Sequence, residues 1–340
     1  MLMIGLALIG AGRMGRVHAA ALRQTEANLV AIHDVDQTAA LRLARETGAA
    51  VDPTIDATLS RPDVAGVIIA TASDTHVDLT LRAVAAGKRV LCEKPLAPSL
   101  ADAQRCVDAL GAGAADVFLG FNRRFDPGHA AVNDAVHKGS IGRLEQLIIT
   151  SRDPEPPPLN YIPRSGGLFR DMMIHDFDMT RGLLGEEPSR VYAQGSSMVD
   201  PQIGDLGDID TAIVALSTAS GAQVVIINSR RCAFGFDQRI EAFGSAGMVL
   251  SDNPRADGFK RFGASEFGSP SRYQTFFMER YGESYRREIE SFVRCVADGA
   301  PPPINAIDGL KAAYLAEAAT ESLARGHPID LDPTGKVIWA

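Results

Sequence analysis

The sequence predicts an α/β protein, with a doubly wound parallel sheet at the N-terminus and a second α/β domain whose strands pair mostly antiparallel. The first observation is "MIGLALIGAGRMG", a short apolar run that breaks into a turn with spaced glycines. The second is the alternation of apolar runs and helix-patterned segments that follows it. The third is a change of character after about residue 120, where strand-like stretches succeed one another with only turn signals between them.

A chain of 340 residues accommodates two domains, each with a sizeable core. It is 46% hydrophobic and 22% charged, the balance of a soluble globular protein. The net charge is −8, from 34 basic and 42 acidic residues without a block of either sign. Nucleic acid and anionic membranes are therefore not expected partners, since both require a basic footprint. Cys92, Cys106, Cys232 and Cys295 are scattered, with no CxxC and no histidine at ligand spacing. A reduced cytoplasmic protein with no metal site is expected. The apolar start "MLMIGLALIG" lacks a basic leader region and runs into the glycine turn, so it reads as a strand. No stretch reaches the length of a membrane-spanning helix.

Residues 3–9 form the first expected strand, "GAGRMG" the turn, and "RVHAAALRQ" the first helix. This is GxGxxG spacing in a strand–turn–helix setting. Gly10 permits the tight turn, Gly12 lets a pyrophosphate approach the backbone, and Gly15 allows close helix packing. The helix N-terminus offers amides and a positive dipole end to the phosphates. The second strand, 28–33, ends at Asp34, 19 residues after Gly15, where a carboxylate holds the ribose hydroxyls of NAD and repels the extra phosphate of NADP. Asp36 reads equally as the cap of the next helix.

Further strands are expected at 64–71 and 89–93, separated by a loop and a helix closed by Gly87. Ligands of such sheets bind beyond the carboxyl ends of the strands, which places Ala72–His76 and Glu93–Lys94 on the rim of the glycine turn. His76 suits a ligand contact or a structural role at a helix start. Pro95 biases Lys94 toward extended backbone, at the strand end, instead of the next helix. Without a cofactor rim around it, Lys94 would read as an exposed lysine in a turn.

In the second half, strands are expected at 143–152, 189–198, 209–218, 221–229, 237–243 and 246–251. "PEPPPLNYIP" (154–163) reads as a stiff loop leading into a helix that carries Asp171 and His175. Four residues apart, these two share one helix face, where a carboxylate orients an imidazole that acts as a base. The spacing alone also fits a core histidine, and Asp176 and Asp178 fit helix contacts or caps. "ESYRREIESFVRCV" sets Tyr285, Ile289, Phe292, Val293 and Val296 at helical spacing, as a core face.

"GAGRMG", "IATASDTHVDL" and "GKRVLCEKPLA" together resemble the nucleotide-domain signature of the Gfo/Idh/MocA family of NAD(P)-dependent sugar and cyclitol oxidoreductases. The resemblance continues through "GFNRRFDP", "GGLFRDMMIHDFDMTRGLLG" and the closing "AIDGLKAAYLAEAATESLARGHPIDL", covering essentially the whole chain. It implies a Rossmann domain over 1–121 and a substrate-binding and oligomerisation domain over 122–340, with a large open sheet and a C-terminal helix that packs back on the first domain. It implies Lys94, Asp171 and His175 as catalytic residues. Cofactor contacts are implied at Gly10, Gly12, Arg13, Met14, Asp34, Thr71, Ser73, His76, Glu93 and Lys94. Substrate contacts are implied at Arg124, Asp153, Met172 and His175, with Asn122 and Tyr281 as weaker candidates; paired surface charge explains Arg124 and Asp153 as well. The motifs 120–127 and 166–185 are most similar to the family's inositol-oxidising members. The expected activity is NAD-dependent oxidation of a cyclitol hydroxyl, myo-inositol ahead of scyllo-inositol or an aldopyranose, in a homotetramer. A non-catalytic NAD-sensing regulator is the alternative from another class, against which the lysine and the Asp–His pair argue.

Overall fold

The computed structural model describes residues 4–338. The chain divides into two compact units, one of residues 1–125 and 283–313, the other of residues 126–282 and 314–340. The sequence places a single boundary between 121 and 122; here the first unit runs on to Phe125 and takes in a second, distant segment.

The first unit alternates strands and helices: β1 (Gly5–Ile9), α1 (Arg13–Leu22), β2 (Asn28–His33), α2 (Gln37–Thr47), β3 (Ala50–Val51), α3 (Ile55–Leu59), β4 (Gly66–Ile69), α4 (His76–Ala85), β5 (Arg89–Glu93), α5 (Leu100–Leu110) and β6 (Phe118–Gly120). Met3, the first residue of the expected opening strand, lies outside the described residues. The strands pair in parallel in the order β3-β2-β1-β4-β5-β6. The order reverses direction between β1 and β4, and a crevice opens beyond the strand ends at such a point. Strands buried on both faces read as continuous apolar runs, and Leu6, Leu8, Ile32, Ile68 and Ile69 are at most 1% exposed.

The second unit contains α6 (Pro127–His137), β7 (Leu144–Arg152), α7 (Ile162–Ser165), α8 (Leu168–Asp171), α9 (Ile174–Leu184), β8 (Pro188–Ser196), α10 (Pro201–Asp205), β9 (Thr211–Thr218), β10 (Gln223–Ser229), β11 (Asp237–Gly244), β12 (Gly247–Ser251), β13 (Lys260–Gly263), β14 (Glu266–Pro270) and α11 (Phe277–Arg280). Then follow α12 (Gly282–Asp298), α13 (Ala306–Arg325) and β15 (Ile329–Asp330). Seven strands form one mixed sheet, β12-β11-β7-β10-β9-β8-β15. The hairpins β9–β10 and β11–β12 are antiparallel, as are all the other pairs except β7–β10, which is parallel. One face carries Leu147, Ile149, Val224 and Ile226 into the core; on the other, Ile148, Ile213 and Phe243 are 38%, 50% and 44% exposed.

Within the first unit, α12 buries Tyr285, Ile289, Phe292 and Val293, the face set by its helical spacing. Phe292 meets Phe118 of β6 edge to face at 5.9 Å. The helix α13 contributes residues through Ala313 to the first unit and the remainder to the second.

Candidate active site

The glycine turn of the first unit is built as its spacing requires. Gly10 sits at φ +102°, and a Cβ there would lie 2.5 Å from the Ala70 carbonyl oxygen. A Cβ on Gly15 would come within 2.0 Å of the Gly10 oxygen, so only glycine lets α1 approach the turn this closely. Gly12 is different: a Cβ there would meet nothing within 4 Å, which leaves its outer side open to a ligand. Gly12 is also the N-cap of α1, and no side chain caps that helix. The first turn of α1, at Arg13 and Met14, thus presents the helix N-terminus to phosphate oxygens.

Asp34 closes the rim at the end of β2. Its carboxylate accepts from the Ala11 amide at 2.5 Å and from the Asp36 amide at 2.7 Å. This fixes the acid beside the glycine turn, and Asp36 in turn caps α2 through the Thr38 and Ala39 amides. Thr71 and Ser73 lie on the loop after β4, where the Thr71 hydroxyl bonds the Thr75 hydroxyl at 2.7 Å. An open phosphate cradle beside a ribose-side carboxylate fits a dinucleotide.

Two rim residues take other places. His76 is 1% exposed, with Nδ1 donating to the Pro95 carbonyl at 2.8 Å and Nε2 to the Thr71 carbonyl at 3.3 Å. Glu93 is 7% exposed, and its carboxylate accepts from His18 Nε2 at 2.6 Å and from the Lys94 amide at 3.1 Å. Both side chains turn into the unit, because carbonyl and imidazole partners from other elements claim them. Lys94 follows β5 directly, half-buried, and is joined to Pro95 by a cis peptide bond that the extended-backbone expectation did not include.

Burial works against a charged His76, but the Cys92 sulfur, the Pro95 carbonyl and the Glu93 carboxylate outweigh it and carry its pKa up to about 9. Both ring nitrogens face carbonyl oxygens, which only accept, so the doubly protonated ring is the species that satisfies both. Burial likewise opposes ionisation of Glu93, yet the His18 hydrogen bond and the neighbouring Lys94 and His76 charges hold its pKa below the usual carboxylate value.

In the second unit, Asp171 and His175 do not share one helix. Asp171 ends α8, and His175 stands in the first turn of α9 after the break at Met172–Met173. The Asp171 carboxylate accepts from the Tyr161 hydroxyl at 3.0 Å and from Arg230 Nη1 at 3.3 Å. Arg230, only 1% exposed, also donates from Nη2 to Asp208 at 3.4 Å, and Asp208 accepts from the Leu168 amide at 3.0 Å where α8 begins. Asp176 is fully buried, accepting from Ser151 of β7 at 2.6 Å and Asn228 of β10 at 2.8 Å, which pins the start of α9 to the sheet. Tyr161, Asp208 and Arg230 escaped the sequence reading, since no motif or spacing ties them to Asp171.

The remaining candidates divide. Met172, expected on the substrate, is 4% exposed, its side chain packed in the core. Tyr281 and Asn122 are also buried; Tyr281 donates to Gln238 at 3.3 Å and Asn122 to Ser284 at 3.4 Å. Arg124 lies 3.9 Å from Asp308 within the first unit. Asp153 is half-buried just beyond β7, its amide donating to the Ser229 carbonyl at 3.0 Å. Among the described residues, no group of three or more His, Cys, Asp or Glu is arranged to hold a metal ion, and no helix is long and apolar enough to cross a membrane.

Parallel sheet, open glycine turn and anchored Asp34 together define a dinucleotide-binding protein. Residues 4–121 match the oxidoreductase family with an NAD-binding Rossmann fold, and residues 129–250 match the GFO/IDH/MocA C-terminal domain. The chain belongs to the Gfo/Idh/MocA oxidoreductase family, and its cofactor is NAD. An inositol 2-dehydrogenase of Rhizobium meliloti is 46% identical over 95% of this chain and 98% of its own. A myo-inositol 2-dehydrogenase of Thermotoga maritima is 43% identical over 96% and 98%. The solved structure of a myo-inositol dehydrogenase from Corynebacterium glutamicum superposes with a TM-score of 0.94 at 42% identity, covering 98% of this chain and all of that one.

Proposed function

We propose that this chain oxidises one secondary hydroxyl of a cyclitol, myo-inositol, to the 2-ketone, with NAD taking the hydride. The observation that carries this reading is near-full-length similarity to relatives named for that oxidation, at identities above 40%. The residues that would hold NAD are Gly10, Gly12, Arg13, Met14, Asp34, Thr71 and Ser73. Bound there, NAD supplies the nicotinamide carbon that accepts the hydride.

The chain's own residues manage the oxygen and its proton. His175 takes the hydroxyl proton as the carbon–hydrogen bond breaks. Lys94 donates to the same oxygen and offsets the negative charge that develops on it. Asp171, held by Tyr161 and Arg230, supports the imidazolium form of His175. Arg124 and Asp153 would bind the remaining hydroxyls.

We further assign the second unit to substrate binding and self-association, as a homotetramer. The apolar residues on the open sheet face support this, because a second copy would cover them. Four free, buried cysteines support a reducing compartment such as the cytoplasm.

Steady-state rates with myo-inositol, scyllo-inositol, glucose and xylose, each with NAD and NADP, test the proposal. The highest kcat/KM is expected for myo-inositol with NAD. Turnover of hexose alone would move the substrate class to sugars, and no turnover with any of the four would favour a sensor. Mass in solution tests the tetramer.

A further inference from the structure

Three buried side chains, Glu93, His18 and His76, brace the backbone around Lys94 within the first unit. On one side, Glu93 accepts from His18 of α1 through Oε1 and from the Lys94 amide through Oε2. On the other, His76 of α4 donates to the carbonyl of Pro95, immediately after the lysine, and to that of Thr71 on the loop after β4. His18 is fully buried and lies edge-on to the Tyr285 ring at 5.9 Å, so it has little room to swing. A Cβ on Gly120 of β6 would fall 3.3 Å from Glu93 Cα and 3.4 Å from its Oε2, so the neighbouring strand backs the carboxylate closely. Glu93 also has a titratable neighbour in Glu288 of α12, fully buried, with neither carboxyl oxygen hydrogen bonded among the described residues.

We propose that His18–Glu93 and His76–Pro95 form a bracket that positions Lys94, acting through the lysine instead of touching cofactor or substrate. The bracket rests on the reading of Lys94 as the catalytic cation. It ties the lysine to the helix that opens at the glycine turn and to the loop after β4. A displacement of about 1 Å at a reacting group lowers a rate about 100-fold. Four hydrogen bonds from three elements hold the Lys94–Pro95 turn against such a displacement. His18, Glu93 and His76 are thereby positioning residues, and the cofactor contacts expected of Glu93 and His76 pass to their neighbours.

A double-mutant cycle tests the bracket on the full-length chain, with kcat, KM and the Kd of NAD measured for each variant. Glu93→Ala and His76→Leu should each lower kcat about 100-fold, leaving the NAD Kd within about threefold. Glu93→Gln preserves both contacts, its oxygen accepting from the Lys94 amide and its amide donating to His18 Nε2, and should keep most of the rate. In a Lys94→Ala background the same substitutions should change the residual rate by less than about threefold, because their effect passes through the lysine. Additive losses in that background overturn the bracket, as does a weakening of NAD affinity that matches the loss of kcat. If Glu93→Ala yields no folded protein, His76→Leu carries the cycle under the same criteria, with Glu93→Gln as its near-wild-type control. Wild-type turnover by Lys94→Ala would instead overturn the catalytic reading of Lys94, and the bracket with it. Loss of turnover by Lys94→Ala with none by Glu93→Ala or His76→Leu removes the bracket alone.

Discussion

Asn228 donates its amide to Asp176 at 2.8 Å, and Ser151, its register partner across the parallel β7–β10 pair, donates to the other carboxylate oxygen. The residue before Asp176 is His175, so this knot fixes the start of the helix that presents the proposed base. Asp176→Ala leaves the buried Asn228 amide without this acceptor and the Ser151 hydroxyl with only Gln238, and should destabilise the protein by about 2 kcal/mol. Asp176→Asn should cost less, since its amide can donate to the Ser151 oxygen while that hydroxyl donates to Gln238, 3.0 Å away. Urea unfolding midpoints of both variants check the order, and equal losses would remove the hydrogen-bond argument.

Arg230 lies between Asp171 and Asp208, and truncating it strands two carboxylates beside each other. Removing one partner from a buried ion pair costs about 3–5 kcal/mol. Arg230→Ala should therefore unfold at lower urea and lose turnover. Asp208→Asn, which keeps the acceptor for the Leu168 amide, should do less harm. Similar midpoints for the two variants would show that the guanidinium does not anchor this acid pair.

Lys94→Ala and His175→Ala should each lower kcat by about 10³-fold, since one removes the proposed charge stabilisation of the oxygen and the other the proposed base. NAD affinity should stay within a few-fold, because neither residue belongs to the phosphate cradle. Fluorescence titration of NAD with each variant, beside steady-state rates, separates the two effects. Two variants that turn over at the wild-type rate would remove both residues from the site.

The local parts of the fold were legible because local physics sets them. Buried parallel strands read as apolar runs, so β2 and β5 appear at the residues their composition marks, and the three glycines do what their spacing implies. The helix expected to carry Asp171 and His175 together depended on a four-residue spacing. That spacing does not reveal the break at Met172–Met173, where two buried side chains take the chain into the core. Arg230 and Asp208 reach Asp171 from distant segments, so only tertiary structure joins them. His76 was placed on the rim because it follows the carboxyl end of a strand, with its position at a helix start fitting a structural role equally; carbonyls of Thr71 and Pro95 turn it inward, and the sequence does not show carbonyl directions. The parallel β7–β10 pair is similarly hidden, because its crossover spans α7 to β9.

Stability should fall as pH rises from about 4.5 to 9, for two reasons of the same sign. Burial, with the Glu93 charge, raises the Glu288 carboxyl well above the ordinary carboxylate value of about 4.5. The folded protein thus keeps a proton that the unfolded chain releases above that pH, and stability declines as pH rises. His76 rises from 6.5 to about 9, so its contribution is complete below 6.5 and is lost as pH passes through 9. A shift of that size corresponds to on the order of 3 kcal/mol across the window. Glu288→Gln, which carries no ionisable proton, should unfold at higher urea than wild type at pH 8 and show a flatter dependence between pH 5 and 8. A wild-type midpoint that climbs over the same range would contradict both assignments.

Asp34 is the residue we propose to set the choice between NAD and NADP, through its carboxylate and its fixed place. One oxygen accepts from the Ala11 amide within the glycine turn and the other from Asp36, so the carboxylate cannot swing aside to admit a phosphate. Asp34→Ser removes the charge and shortens the side chain, taking away the acceptor for the ribose hydroxyls. The KM for NAD should rise about 10-fold or more, since a lost charge-assisted hydrogen bond costs about 1.5–3 kcal/mol. The kcat at saturating NAD should change little, because the ribose lies far from the reacting carbon. NADP should gain in relative kcat/KM, as its added phosphate no longer meets a fixed negative charge. Rates with each dinucleotide at saturating myo-inositol give the ratio directly. An unchanged ratio would mean that residues other than Asp34 govern cofactor choice.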